Sequence, residues 1–494
     1  MKKYLPLFFI AGFLCCTACN DFLSEYPTKN TNEPVQRIEQ LVALLDNPTY
    51  TERFRYTDLV STDNFELPFD LYDAYPNGWT ASSLPYYILD IDGVAERPSD
   101  MFWSDTYSEI YQANLILEQV DKVSGDAALK AQVKAEAHFL RGYSNLMMVT
   151  TYCMPYHPDN FNDLGLPRKT TTSAEETLNR MTLKETYDFI EEDFEEALKV
   201  TKEAPGTTHR PDNRATINAL LSRHYLYKGE YDNAITAADN ALNHSGIIQL
   251  IDYTNLGPGT PIIYANPADT IKYCEIRDYA APTYFNWKES FYIRVSYKNV
   301  DWIVASQSLL DMFDKNYDLR YKWFFLNESR KYGLVNFPNV HSYANAFGGY
   351  FMLSGVTIQE VMLNKAEALL RKSSPDIAGA MALVNQLREH RMLPHADRTL
   401  TAANANDALL KVLAERRKEF PYTLRWQDIR RFAYTETTID DVVVSHDFYE
   451  YNDGIVNKSV IKTYTLPLKS RRYAVPINKL EVDKTKGQFE QNTY

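Results

Sequence analysis

The stretch "ATINALLSRHYLYKGEYDNAITAADNAL", residues 215–242, restricts the fold more than any other part of the chain. A single glycine, Gly229, divides it into two runs of helical period. Leu221, Ser222 and Tyr225 mark the first run, and Tyr231, Ala234, Ala238, Ala241 and Leu242 mark the second. Alanines let paired helices approach closely while aromatic rings fill the remaining gaps, which is the small/large pattern of a tetratricopeptide repeat. One such pair cannot bury its apolar faces alone, so other pairs must stack on it.

The sequence supplies them. "VTIQEVMLNKAEALLRKSSPDIAGAMALVNQLREHR" repeats the pattern through Leu363, Ala366, Leu369, Ala378 and Ala382. "SDTYSEIYQANLILEQVDK" and "KAQVKAEAHFLRGYSNLMMVTTY" each carry an apolar stripe and predict an antiparallel pair, with a further helix in "TLKETYDFIEEDFEEALKV". The expected fold is dominated by α-helix: a scaffold of TPR-like helix pairs over about 104–244 and 356–432. Residues 47–103 and 245–355 differ, being rich in Pro, Gly, Asn and aromatics with only short β-like runs such as "SFYIRVSY". Long irregular insertions in a helical frame are where function concentrates.

The start of the chain predicts export. Lys2 and Lys3 precede an apolar run from Tyr4 to Ala18, too short for a permanent span. Thr17 and Ala18 place small residues directly before Cys19, the arrangement that a lipoprotein signal peptidase needs. Residues 1–18 are then a signal peptide, Cys19 carries the lipid anchor, and 19–34 form a polar tether to a single body over 35–494. Cys153 and Cys274 are left either paired or free. With 65 acidic against 52 basic residues, net −13, nucleic acid is excluded as a partner. Tyrosine is abundant at 36 residues, which suits wet surfaces that hold ligands as well as helix packing.

Several segments, in this order, carry a resemblance: "CNDFLSEYP", "FWSDTYSEIYQANLIL", "KAEAHFLRGYSNLMMV", the 215–242 pair, "IQEVMLNKAEALLR", "LAERRKEF" with "RWQDIRRF", and "YAVPINKLEVDKTKGQFEQNTY". The chain resembles the SusD-like (RagB/SusD) family of surface lipoproteins, which capture nutrients for TonB-dependent outer-membrane transporters. Two stretches depart from the family pattern, "FPYTLRW" and the ending "QNTY", and both fall in framework. The resemblance implies a non-catalytic, TPR-rich body with loop-built ligand surfaces, no cofactor, an outer-membrane location facing the cell surface, and a SusC-like transporter as partner.

A glycan site needs flat apolar faces for sugar C–H surfaces and planar polar groups for hydroxyls. The resemblance places this platform in the two insertions. Trp79 is the first expectation, Trp287 the second, with Tyr72, Tyr75, Tyr86 and Tyr87 beside the former and Tyr279, Tyr284, Phe285 and Tyr292 beside the latter. Asp63, Asn64, Asp73 and Asn77 are the matching hydroxyl contacts. Trp103 is assigned to packing. The cluster Glu415, Arg416, Arg417, Glu419, Arg425, Asp428, Arg430 and Arg431 is expected to be a structural ion network, because paired arginines lower a carboxylate pKa where a general acid needs it raised. Acid pairs at Asp90/Asp92 and Asp440/Asp441 are weak signals in so acidic a chain, and His390 with His395 lacks the four-residue step of a helical zinc site. The leading function is oligosaccharide capture; peptide capture, an envelope glycoside hydrolase and a TPR assembly scaffold are the alternatives.

Overall fold

Local capping signals set the helices. Asp100 accepts from the Trp103 amide to start α1, Met101–Gln119, and Asp126 accepts from Leu129 to start α2, Ala127–Tyr152. A capping box of Thr182 and Glu185 opens α3, Leu183–Ala197. Asn213 caps α4, Arg214–Lys228, which ends at Gly229 in the left-handed region with φ 75°, and α5, Tyr231–Asn243, follows at once. These two are the predicted repeat pair, with Ala234, Ala237, Ala238 and Ala241 buried. The C-terminal half adds α6, Ile358–Arg371, α7, Ile377–Glu389, α8, Ala405–Glu419, and α9, Arg425–Phe432. The computed structural model describes residues 35–494 apart from 47–50, 54, 79–82, 174, 177, 260–261, 264–269, 272–286, 298–302, 328–336, 338–339, 344–350 and 453.

α1 packs on α2, α2 on α3, α4 on α5, α5 on α6, and α6 on both α7 and α8, a stack of helix pairs as the sequence predicts. Gly142 makes one close contact possible: a Cβ there would lie 2.8 Å from the Phe194 ring. Most buried apolar side chains form one continuous core. Among the described residues no helix is long and apolar enough to cross a membrane.

Charged groups tie the pairs together inside this core. Arg223 of α4 meets Glu360 of α6 through two 2.6 Å hydrogen bonds. Arg320 donates to Asp318, Glu415 and Glu419, while Arg388 and Lys418 also reach Glu415, and Arg391 bridges Glu419 to Glu289. Arg431 grips Glu367 and Asp428, and Arg416 grips Asp428. The network predicted around α8 and α9 is therefore present, with one exception. Among the described residues Arg430 pairs with no acid; it donates to the carbonyls of Thr150 and Cys153 at the C-terminus of α2. A cation there complements both the unsatisfied carbonyls and the negative end of the helix dipole.

The insertions differ in detail from the sequence expectation. Residues 47–103 contain short helices at Tyr56–Val60, Phe69–Ala74, Leu84–Tyr87 and Ile91–Ala95, each too brief to show a period. The run "SFYIRVSY" does form strands, Ser290–Tyr292 and Val295–Tyr297. A hairpin absent from the sequence expectation joins β1, Val444–Asn452, to β2, Ile455–Leu466.

Candidate functional site

β1 lays its inner face on the first insertion. Phe448 meets Tyr72 edge-on at 4.9 Å, Phe69 meets Tyr449 at 4.8 Å, and the His446 ring stacks on Tyr87 at 4.3 Å. The Tyr449 hydroxyl donates to Asp73, which also pairs with Lys458 of β2 at 2.8 Å. The hairpin is thereby fixed beside residues 85–98, and a cleft of about 720 Å³ opens between them. This volume lies within the range of sites for small ligands.

The two walls are chemically distinct. The hairpin contributes the rings of Tyr451 and Tyr464 and the amide of Asn452. Tyr464 is held in place because its hydroxyl donates to the Tyr449 carbonyl at 3.1 Å and accepts from the Tyr451 amide at 2.9 Å. The facing wall carries Asp90, Asp92, Glu96 and Arg97. Arg97 stands over the rings of Tyr56 and Tyr86 and donates to the Tyr86 hydroxyl at 2.8 Å. Arg472, also lining the cleft, donates to the carbonyls of Thr465 at 2.6 Å and Leu89 at 3.4 Å, and burial pulls its pKa below the usual guanidinium range. Leu89 adopts φ 58°, a left-handed residue that ends the Leu84–Tyr87 turn and lets the Asp90 amide reach the Pro85 carbonyl at 2.8 Å. A leucine there stores roughly 1–2 kcal/mol of strain.

A second, smaller cavity of about 70 Å³ lies beneath the other insertion, walled by Trp287, Phe324, Tyr343 and Tyr422, with Glu289 and Gln359 at its polar side. It has room for a few waters but not for a sugar ring.

The residues predicted as a ligand platform are distributed differently. Trp79 and Tyr284 lie outside the described residues, as do Tyr279, Phe285, Cys19 and Cys274. Tyr75 and Asn77 are exposed. The expectation that Tyr72, Trp287 and Tyr292 present open faces is corrected: their exposures are 5%, 4% and 5%. Tyr292 packs edge-on against Phe139 and Tyr143 of α2, and Tyr72 is covered by Phe448 and Tyr449. Asp63, predicted to contact hydroxyls, is corrected too. Its carboxylate accepts from Arg425 at 2.8 and 2.7 Å and pairs with Arg417 at 3.1 Å. Asn64 is likewise buried, donating to the Pro421 carbonyl and accepting from Arg417.

Burial alone would raise the Asp63 pKa, but the charge and hydrogen bonds of Arg425, aided by Arg417, outweigh it and hold it at about 2. A carboxylate with a depressed folded pKa contributes stability that is complete above its unfolded value and disappears as pH falls through the folded one. Asp63→Asn is therefore expected to cost about 2 kcal/mol at neutral pH, the gap to wild type closing between about pH 4 and pH 2. Urea unfolding of both proteins across that window measures it; a gap that persists at the acid end contradicts the ion-pair account.

Sequence reasoning missed Tyr451, Asn452, Tyr464 and Arg472. The signal was available: "NDG" at 452–454, with Gly454 at φ 82°, separates two runs of β-branched and aromatic residues, a strong hairpin cue.

Residues 21–226 match the family described as "Starch-binding associating with outer membrane", and residues 358–494 match the SusD family. No curated protein is a match to the sequence. Among solved structures, the chain is similar to a SusD superfamily protein from Bacteroides thetaiotaomicron VPI-5482, with 19% identity and a TM-score of 0.64 over 93% of this chain and 100% of the other. A putative sugar binding protein from Bacteroides vulgatus ATCC 8482 gives 20% identity and 0.65 over 93% and 99%. A laminarin-binding SusD-like protein gives 17% and 0.56 over 93% and 99%. At these identities the structural likenesses speak for the fold, and the helix-pair stack described above agrees with them. The two sequence matches together cover most of the chain, and on that ground it belongs to the SusD/RagB family.

Proposed function

We propose that this chain is a non-catalytic receptor for oligosaccharides, anchored through lipid at Cys19 to the outer membrane and facing the cell surface, which passes its cargo to a SusC-like TonB-dependent transporter. The observation that carries the reading is the cleft between residues 85–98 and the hairpin, where two tyrosines face three carboxylates and two guanidinium groups. Rings opposite planar polar groups suit a pyranose, whose C–H faces stack and whose hydroxyls accept and donate. The sugar-binding and laminarin-binding descriptions of two structural neighbours support the same ligand class.

The arrangement favours holding over hydrolysis. Glycoside hydrolases set two carboxyl groups on either side of the scissile bond. Here Asp90, Asp92 and Glu96 share one wall, and among the described residues the hairpin wall brings no carboxylate to the cleft. Trp79, Tyr75 and Asn77, from the first insertion, are proposed as further ligand contacts.

Titration calorimetry with laminarin, starch, xylan and mannan oligosaccharides tests this. One of them is expected to bind, and Tyr464→Ala is expected to weaken that binding about tenfold, the loss of one stacked ring. Binding of a peptide pool in place of every glycan, or an unchanged affinity in Tyr464→Ala, overturns the sugar cleft.

A further inference from the structure

β2 is the outer strand of a two-stranded hairpin, and among the described residues no strand pairs with its far edge. Alternate residues of this twelve-residue strand therefore turn amides and carbonyls outward with no strand to receive them. Their side chains are apolar where solvent would favour polarity: Ile455 is 71% exposed, Ile461 62% and Val460 43%. The surrounding charge is also unusual. From Gly454 to Leu480 the chain has six lysines and arginines and no acid, within a protein of net charge −13. Three of the six are already committed on the protein, Lys458 to Asp73, Arg471 to Asp163 and Lys479 to Asp483. Lys462 and Lys469 instead lie over the rings of Tyr464 and Tyr434 and make no ion pair among the described residues.

An open edge of this kind attracts other strands. A second copy of the chain is disfavoured, because antiparallel pairing of β2 with itself sets lysine against lysine. The same lysines favour a strand bearing acids. We propose that β2 docks an extended, acidic segment of a partner protein as a third strand of the hairpin, with Ile461 and Val460 covered by its apolar side chains and Lys462 and Lys469 paired with its carboxylates. This rests on the receptor reading, since the transporter that takes over the cargo is the partner it assigns to the strand. The site also adjoins the sugar cleft, whose wall is the inner side of the same hairpin.

The test uses the full-length protein co-expressed with a SusC-like TonB-dependent transporter and purified in detergent. Three forms are compared: wild type, Lys462→Glu/Lys469→Glu, and Lys199→Glu as a control just past the C-terminus of α3. The double variant is expected to bind the transporter about tenfold more weakly, more so at low salt, with the control unchanged. Amides of residues 455–466 are expected to gain protection from hydrogen exchange in the complex. Equal affinity of all three forms, unprotected β2 amides, or absence of any complex overturns the docking strand. Loss of the double variant from lipopolysaccharide vesicles, with transporter binding intact, overturns it in favour of a membrane surface. Calorimetry with the glycan on the wild-type and Lys199→Glu preparations separates this failure from failure of the receptor reading, because Lys199 does not line the cleft and both forms are expected to bind sugar.

Discussion

Replacing Arg320 by leucine is expected to destabilise the fold by about 3–5 kcal/mol, the range for breaking a buried ion network by removing one partner. Arg320 is fully buried and is the shared donor for Asp318, Glu415 and Glu419 at 2.7, 2.9 and 2.8 Å. Without it Asp318 has no other cation paired with it among the described residues, whereas Glu415 retains Arg388 and Lys418, and Glu419 retains Arg391. Burial favours the neutral acid, but its cationic neighbours hold Glu415 well below the usual carboxylate range. The sign of the pH dependence follows: the network's contribution is complete above the ordinary glutamate range and fades with acidification. Urea unfolding should show the variant's deficit at neutral pH and a smaller one in acid. A loss under about 1 kcal/mol would mean that water or a neighbouring arginine replaces the lost donor.

The second large effect concerns backbone. Gly355 precedes the Val356–Thr357 strand, and a Cβ added there would lie 1.9 Å from the Tyr292 carbonyl oxygen and 2.9 Å from the Arg294 amide nitrogen. Both obstacles are main chain, so no rotamer change relieves the clash. Gly355→Ala is expected to cost about 3 kcal/mol, the upper end for overpacking, by parting Val356 from Tyr292 and disturbing the Arg223 donor that reaches the Gly355 carbonyl at 3.1 Å. Gly206→Ala, where the new methyl meets nothing within 4 Å, is the control and should stay within about 0.5 kcal/mol of wild type. A similar midpoint for both variants would contradict the close approach.

The helical frame was legible because its signals are local. Gly229, the alanines of α5 and the stripes of α1 and α2 repeat over many residues, and each is satisfied by its immediate neighbours. The ion network was legible only in its dense stretch between Glu415 and Arg431; Arg320, Glu367 and Arg388, which complete it, come from far along the chain. The site was not, because exposure is decided by partners far away in sequence. Tyr72 reads as a loop tyrosine until Phe448 covers it, and Asp63 reads as a free acid until Arg425 arrives, 362 residues later. Arg430 shows the converse, since its partner is the end of a helix and no side chain announces it.

The hairpin that closes the cleft has a consequence for timing. One wall is made near residue 90 and the other near residue 460, so the pocket does not exist until both segments have been made and brought together. Contacts so distant along the chain form late, after the local helix pairs. A chain in which only the first of these segments has been made is thus a stack of helices without this cleft.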